Sequence, residues 1–314
     1  MKLLITRPLP DPVLAAARAR FEVTARASTL PLDAAELRAA LSDYDVVLPT
    51  LGDLFKAEVF ADVPKPKAKL LANFGVGFNH IDTKSAAALG IAVTNTPGAV
   101  TDATADVAMT LLLMTARRAG EGERMLRAGH WQGWHPVQML GAPVSGKTVG
   151  IIGMGRIGRA IAQRCHHGFG MRVIYHNRSA TEAGVPARQV SLPEVLAADF
   201  VVIAVPGGPA THHLINAEAL ALMAPHGILI NIARGDVVDE AALAAALQTG
   251  QIAGAGLDVY EHEPQITPSL LGMENVTLLP HLGTAVLETR TAMGMMAVAN
   301  LIAFLDGQPL PNRV

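Results

Sequence analysis

Val149-Gly-Ile-Ile-Gly-Met-Gly-Arg-Ile-Gly158 is the most informative run in the chain. Gly153, Gly155 and Gly158 stand at G-x-G-x-x-G spacing. An apolar strand pattern, Val149 to Ile152, precedes them, and a helical pattern through Ala160, Ile161, Ala162 and Cys165 follows. In a strand–turn–helix unit the first glycine permits the tight turn. The second lets backbone approach a diphosphate, and the third lets helix and strand pack closely. A bare glycine spacing is weak evidence, but this setting points to a dinucleotide site with amides of the helix N-terminus facing the phosphates.

Outward from that run, short apolar segments alternate with helical ones along the whole chain. KLLIT, FEVTA, DVVLPT, KLLANF and IAVTNTP form one set of strands, separated by helical stretches such as DPVLAAARAR and LDAAELRAAL. KTVGIIG, MRVIYHN, FVVIAVP, HGILINIA, IAGAGLDV and VTLLPH form a second. Such alternation predicts βαβ units, hence an α/β protein of two doubly wound domains with mainly parallel sheets. The glycine run opens the second set, so the dinucleotide-binding domain is expected at 100–285. A discontinuous substrate domain is expected from 1–99 and 286–314. A long helical stretch from Asp102 to about Leu126 is expected to link the lobes, and another from Ala285 to Leu305 to return to the first.

The totals agree with a buried-core enzyme. The chain has 314 residues, 50% hydrophobic and only 17% charged, with a net charge of −2. Neither nucleic acid nor an anionic membrane is an expected partner. A lone Cys165 excludes an intrachain disulfide and suits a reducing compartment. The opening MKLLITRPLP is too short in its apolar part for a signal peptide, and no apolar run is long enough to span a bilayer. A cytoplasmic, soluble protein is expected.

The strand VIYHNRS bears on the cofactor. It ends in Asn177, Arg178 and Ser179, nineteen residues and more beyond Gly158. NAD-binding units usually carry an acid there, on the ribose 2′-hydroxyl. Without that carboxylate a 2′-phosphate is not repelled, and Arg178 and Ser179 offer donors to it. NADP(H) is therefore expected in preference to NAD(H), although a solvated arginine after a strand is common in itself.

Three polar residues follow apolar strands in order: Arg234 in NIARG, Glu263 in DVYEHEP and His281 in LLPHLGT. Together with NFGVGFNHID, TNTPGAVTDATAD and PHLGTA, these segments make the chain resemble the D-isomer-specific 2-hydroxyacid dehydrogenase family over nearly its whole length. Within the family it is most similar to NADPH-dependent glyoxylate and hydroxypyruvate reductases.

The resemblance implies two Rossmann-like lobes with the active site in the cleft, and a homodimer. It implies a catalytic trio of Arg234, Glu263 and His281. His281 would protonate the keto oxygen, since imidazole titrates near neutrality. Glu263 would hold the ring and favour its protonated form. Arg234 would bind the substrate carboxylate with a fixed charge. Glu263, directly before Pro264, is preferred to Glu261 as the family match, whereas a formate dehydrogenase of the broader family carries Gln there.

The resemblance further implies that Val76 and Gly77 contact substrate through their amides. The cofactor would meet Thr104, Gly153, Gly155, Arg156, Ile157, Gly158, Asn177, Arg178, Ser179, Pro206, Thr211, Ala233, Asp258 and Gly283. Trp134 is a substrate-site candidate through the partner subunit, and packing of Trp131 and Trp134 in a dimer contact is the equal alternative. His212 and His213 are expected to be exposed. The implied reaction is reduction of small 2-oxo acids such as glyoxylate and hydroxypyruvate. Larger 2-oxo acids, or a non-catalytic NAD(P)-sensing corepressor, are the alternatives. No metal is expected.

Overall fold

The computed structural model describes all residues, 1–314, as two compact units, one of 1–100 with 285–314 and one of 101–284. The first unit contains β1 (Lys2–Ile5), β2 (Glu22–Ala25), β3 (Val46–Leu48), β4 (Leu70–Ala72) and β5 (Ala92–Thr94). They form one parallel sheet in the order β2-β1-β3-β4-β5. Side chains of a strand alternate between faces. Leu4, Val47 and Leu71 accordingly pack with Leu41, Phe55 and Phe60 on one face. Leu3, Ile5, Val46 and Leu70 pack on the other with Val13, Val298 and Leu301. The helix Ala34–Asp43 starts on a capping box in which Asp33 and Glu36 satisfy each other's backbone amides. The last helix, Leu287–Leu305, belongs to this unit and lies so close to the helix Asp11–Arg18 that a Cβ on Gly294 would stand 2.5 Å from Val13.

The second unit contains β6 (Thr148–Ile152), β7 (Arg172–His176), β8 (Ala187–Gln189), β9 (Phe200–Ile203), β10 (Ile228–Asn231), β11 (Gly254–Leu257) and β12 (Val276–Leu278). Their order is β12-β11-β10-β9-β6-β7-β8, all parallel. Chain order reverses between β6 and β9, the switch point where doubly wound sheets open a crevice beyond the strand ends. Val149, Ile151, Val202 and Ile230 pack under Leu111, Leu112 and Ile161 on one face. Ile152, Val201, Ile203 and Leu229 pack with Val195, Leu220 and Leu243 on the other.

Two local expectations are corrected. β8 is an additional edge strand; its short, mostly exposed Ala-Arg-Gln run carries no apolar periodicity. The stretch expected as one helix is two, Thr101–Ala116 and Ala119–Arg127. At the break Ala142 donates its N–H to the Ala116 carbonyl at 2.8 Å, and Arg118 turns left-handed at φ +52°. No helix of the protein is long and apolar enough to cross a membrane.

Candidate active site

The glycine run shapes a turn that only glycine fits. Gly153 has φ +98°, a conformation L side chains rarely adopt. A Cβ on Gly158 would stand 2.1 Å from the Gly153 carbonyl oxygen, so a methyl there would force helix and strand apart. Gly155, in contrast, faces open space. It caps the helix Arg156–Gln163, and the amides of Gly155, Arg156 and Ile157 find no acceptor within the chain. Open space in front of unpaired amides at the positive end of a helix fits a diphosphate.

Beside this turn β7 ends in the polar segment. The Met154 N–H donates to Asn177 Oδ1 at 3.4 Å, and Gln189 Nε2 donates to the Asn177 carbonyl at 2.8 Å. Asn177 Nδ2 in turn donates to the Ser179 carbonyl. Asn177 is thus tied to both the glycine turn and β8. Arg178 and Ser179 are exposed. The loop after β9 is closed by the Thr211 hydroxyl, which donates to the Pro206 carbonyl at 2.8 Å.

Three neighbouring strands, β10, β11 and β12, deliver the catalytic candidates from their carboxyl ends. Arg234 follows β10. Asn231 shapes its loop by accepting the Ala233 N–H at 3.0 Å and donating to the Arg234 carbonyl at 2.9 Å. Arg234 Nη1 donates to the Ala233 carbonyl at 2.6 Å. Burial pushes the guanidinium below its usual range, against the pull of the Glu263 and Asp236 carboxylates. It stays a cation, because an arginine starts so high.

Glu263 follows β11 and His281 follows β12. His281 Nδ1 lies 2.9 Å from Glu263 Oε2, each side chain about 30% exposed, which leaves His281 Nε2 without a partner. Glu263 Oε1 accepts the Tyr260 N–H at 3.0 Å. Burial alone would raise the Glu263 carboxyl. The hydrogen bond and charge of His281, the Tyr260 amide and the Arg234 charge outweigh it and hold the group below its usual range.

Asp258 braces the His281 loop. Both of its oxygens are taken by amides of the His281 loop, Leu282 at 2.6 Å and Gly283 at 2.8 Å. Its carbonyl accepts the His281 N–H at 2.9 Å. Thr104 completes the brace by donating its hydroxyl to the Gly283 carbonyl at 3.1 Å. His281 is held here at φ +54°, an uncommon conformation that these bonds sustain. Burial raises the Asp258 carboxyl, opposed by the two amides and by His281.

Glu261 and the histidine pair also differ from a solvated picture. His212 is exposed, but His213 is only partly so, and its Nε2 sits 2.7 Å from Glu261 Oε1. Sequence reading also passed over Gly235, whose missing side chain lets the Arg234 loop lie against the Tyr260–Glu261 peptide. Its position within NIARG was visible, but not the backbone it faces.

In the first unit the loop after β4 is built to leave amides free. Asn73 Nδ2 donates to the carbonyls of Gly75 and Gly77 at 3.1 and 3.0 Å, and Asn95 Nδ2 donates to that of Val76 at 2.8 Å. The Val76 and Gly77 amides have no acceptor within the chain. Trp131 and Trp134 stand on a segment without helix or strand, 50% and 78% exposed.

Known proteins resemble this chain over most or all of its length. The family model of the D-isomer specific 2-hydroxyacid dehydrogenase NAD binding domain matches residues 109–283. The chain is 43% identical to a glyoxylate reductase of Thermococcus onnurineus, over 100% of this chain and 95% of that one. It is 44% identical to a glyoxylate reductase of Pyrococcus horikoshii, with the same coverage. The crystal structure of an NADPH-dependent glyoxylate/hydroxypyruvate reductase from Sinorhizobium meliloti, in complex with NADP and malonate, is similar at a TM-score of 0.88. That similarity has 38% identity over 100% of this chain and 96% of the other.

Proposed function

The chain belongs to the D-isomer specific 2-hydroxyacid dehydrogenases, an oxidoreductase family with an NAD(P)-binding domain, and from that premise we propose that it reduces glyoxylate and hydroxypyruvate with NADPH. The observation that carries the chemistry is the His281–Glu263 pair, whose free Nε2 is available to a substrate oxygen.

The nicotinamide, when bound, supplies the hydride that adds to the keto carbon. His281 gives the keto oxygen its proton from Nε2, so that 2-oxo acid, that hydride and one proton together make the 2-hydroxy acid. Glu263 holds the ring in place through its contact with Nδ1. Arg234 binds the substrate carboxylate and polarises the keto oxygen. In the first unit the unpaired Val76 and Gly77 amides are free donors suited to a carboxylate. The amides of Gly155, Arg156 and Ile157 hold the cofactor diphosphate.

NADPH is favoured over NADH because the end of β7 has no carboxylate and presents the exposed Arg178 beside Ser179. Thr211, Pro206 and Ala233 flank the same cofactor, and Asp258 with Thr104 and Gly283 acts by bracing the His281 loop. Exposed Trp131, Trp134, Val137 and Leu140 on one segment support a homodimer in which this segment meets a second copy.

Steady-state reduction of glyoxylate and hydroxypyruvate with each cofactor tests the proposal. NADPH should be preferred in kcat/KM, and Arg178→Ala should lower that preference by about tenfold, the worth of one charge-assisted contact. A preference for NADH, or one unchanged in Arg178→Ala, would remove the phosphate-reading role and leave the catalytic pair to be judged on turnover.

A further inference from the structure

We propose that His212, His213 and Glu261 form a binding site for one divalent transition-metal ion of the zinc class, clamping the loop after β9 to the loop after β11. One ligand atom from each residue lies within 4.8 Å of the other two. His213 Nε2 is already 2.7 Å from Glu261 Oε1, and the two imidazoles stack with centroids 4.0 Å apart. Two imidazole nitrogens and one carboxylate oxygen make a three-ligand set suited to zinc, with a fourth position left for water. Hard ions such as magnesium or calcium would ask for oxygens instead.

Two of the three ligands are held in place by bonds that do not involve a metal. His213 is fixed at φ +48° by its N–H, which donates to the Asp236 carbonyl at 2.8 Å. Glu261 is oriented by Glu240: the Glu261 N–H donates to Glu240 Oε1 at 2.7 Å, and Glu261 Oε2 accepts the Glu240 N–H at 3.4 Å. Glu240 itself is 3% exposed, and its other oxygen accepts the Thr267 hydroxyl. Supporting bonds of this kind orient ligands and raise their affinity for a metal.

Charge points the same way. Neither Glu261 nor Glu240 pairs with a lysine or arginine: the Glu261 carboxylate meets His213, and its neighbour Glu240 meets only the Glu261 amide and the Thr267 hydroxyl. A divalent cation replaces the His213–Glu261 proton and balances that charge. The ligand atoms must draw together to reach bonds of about 2.0–2.2 Å. The exposed His212 ring is the part free to swing, since it is bonded to no other group through its ring nitrogens. The chain contains its own control in His166 and His167, also adjacent, with rings edge-on at 4.9 Å and no carboxylate bonded to either.

The clamp lies beside the proposed chemistry without using it. One loop carries Pro206 and Thr211. The other carries Glu263 two residues beyond Glu261. Full-length protein freed of metal with a chelator would be titrated with Co²⁺, followed by its visible absorption bands, and with Zn²⁺ in competition with a chromophoric chelator. The expected result is one ion per chain, with affinity weakened at least about tenfold in His212→Ala and in Glu261→Gln. Zn²⁺ should raise the melting temperature of the parent and not of Glu261→Gln. A doubly substituted His166→Ala, His167→Ala protein should bind as the parent does. Absence of stoichiometric binding, affinity equal to the parent's in Glu261→Gln or in His212→Ala, or loss of binding in the His166/His167 variant would each overturn the site. Melting curves of the metal-free variants separate a folding defect from a lost ligand, and the exposed His212 position makes that variant the decisive one.

Discussion

Replacing Gly235 with alanine should damage turnover far more than cofactor binding. A Cβ at this position would stand 1.8 Å from the carbonyl carbon of Tyr260, 2.0 Å from its oxygen and 2.2 Å from the Glu261 nitrogen. Reaching even 3.0 Å requires the two backbones to separate by about 1.2 Å. Neither side yields freely. The Tyr260 hydroxyl donates to the Leu279 carbonyl at 2.8 Å, and the Glu261 amide is held by Glu240. On the other side Asn231 holds the Arg234 carbonyl, and the Val238 N–H donates to the Gly235 carbonyl.

The displacement therefore falls on Arg234 and on the loop carrying Glu263. A misplacement of about 1 Å costs on the order of 100-fold in rate. Overpacking costs about 1–3 kcal/mol in stability. The assay is kcat and kcat/KM for glyoxylate with NADPH, alongside cofactor fluorescence titration and thermal melting. Turnover should fall about 100-fold while NADPH affinity changes by only a few-fold, because the glycine turn follows β6 rather than β10. Turnover within about threefold of the parent, with an unchanged melting temperature, would refute the close approach as the determinant of this geometry.

His281→Ala should lose about 10²–10⁴ in kcat with NADPH affinity nearly intact, and loss of cofactor binding would assign the residue another role. Glu263 is held below its usual value of 4.5, so its charge stabilises the fold fully above that value and ceases to do so as pH falls through the lower native one. The melting-temperature gap between parent and Glu263→Gln should be level above about pH 4.5 and narrow below it; a gap that persists at still lower pH would contradict the assignment. Burial pushes the Cys165 thiol up to about 12, so a thiol reagent near neutral pH should react only after unfolding, and rapid reaction of the native protein would show the site to be open.

The glycine run and the alternating strands are local patterns, legible because period and spacing encode them, whereas Arg234, Glu263 and His281 were named through the family resemblance. Gly153-x-Gly155-x-x-Gly158 specifies its turn within a few residues, and strands buried on both faces read as continuous apolar runs. The edge strand β8 lacks that mark because only its backbone, paired to β7, makes it a strand. The break at Arg118 is equally silent in the chain, since the group that meets the Ala116 carbonyl comes from Ala142, far along the sequence.

Chemistry divides along the same line. The family resemblance carried by whole segments implied hydride transfer with an acid–base pair, and the missing acid after β7 raised the expectation of NADP(H). The resemblance had already set Glu263 beside His281, but only folding revealed Glu261 beside His213, so two glutamates two residues apart in sequence are committed to different partners. The bracing of the His281 loop by Asp258 and the contact that forbids a side chain on Gly235 are likewise products of three strands lying side by side. A local spacing is a property of one segment, whereas distances between β10, β11 and β12 exist only once the sheet has set their register.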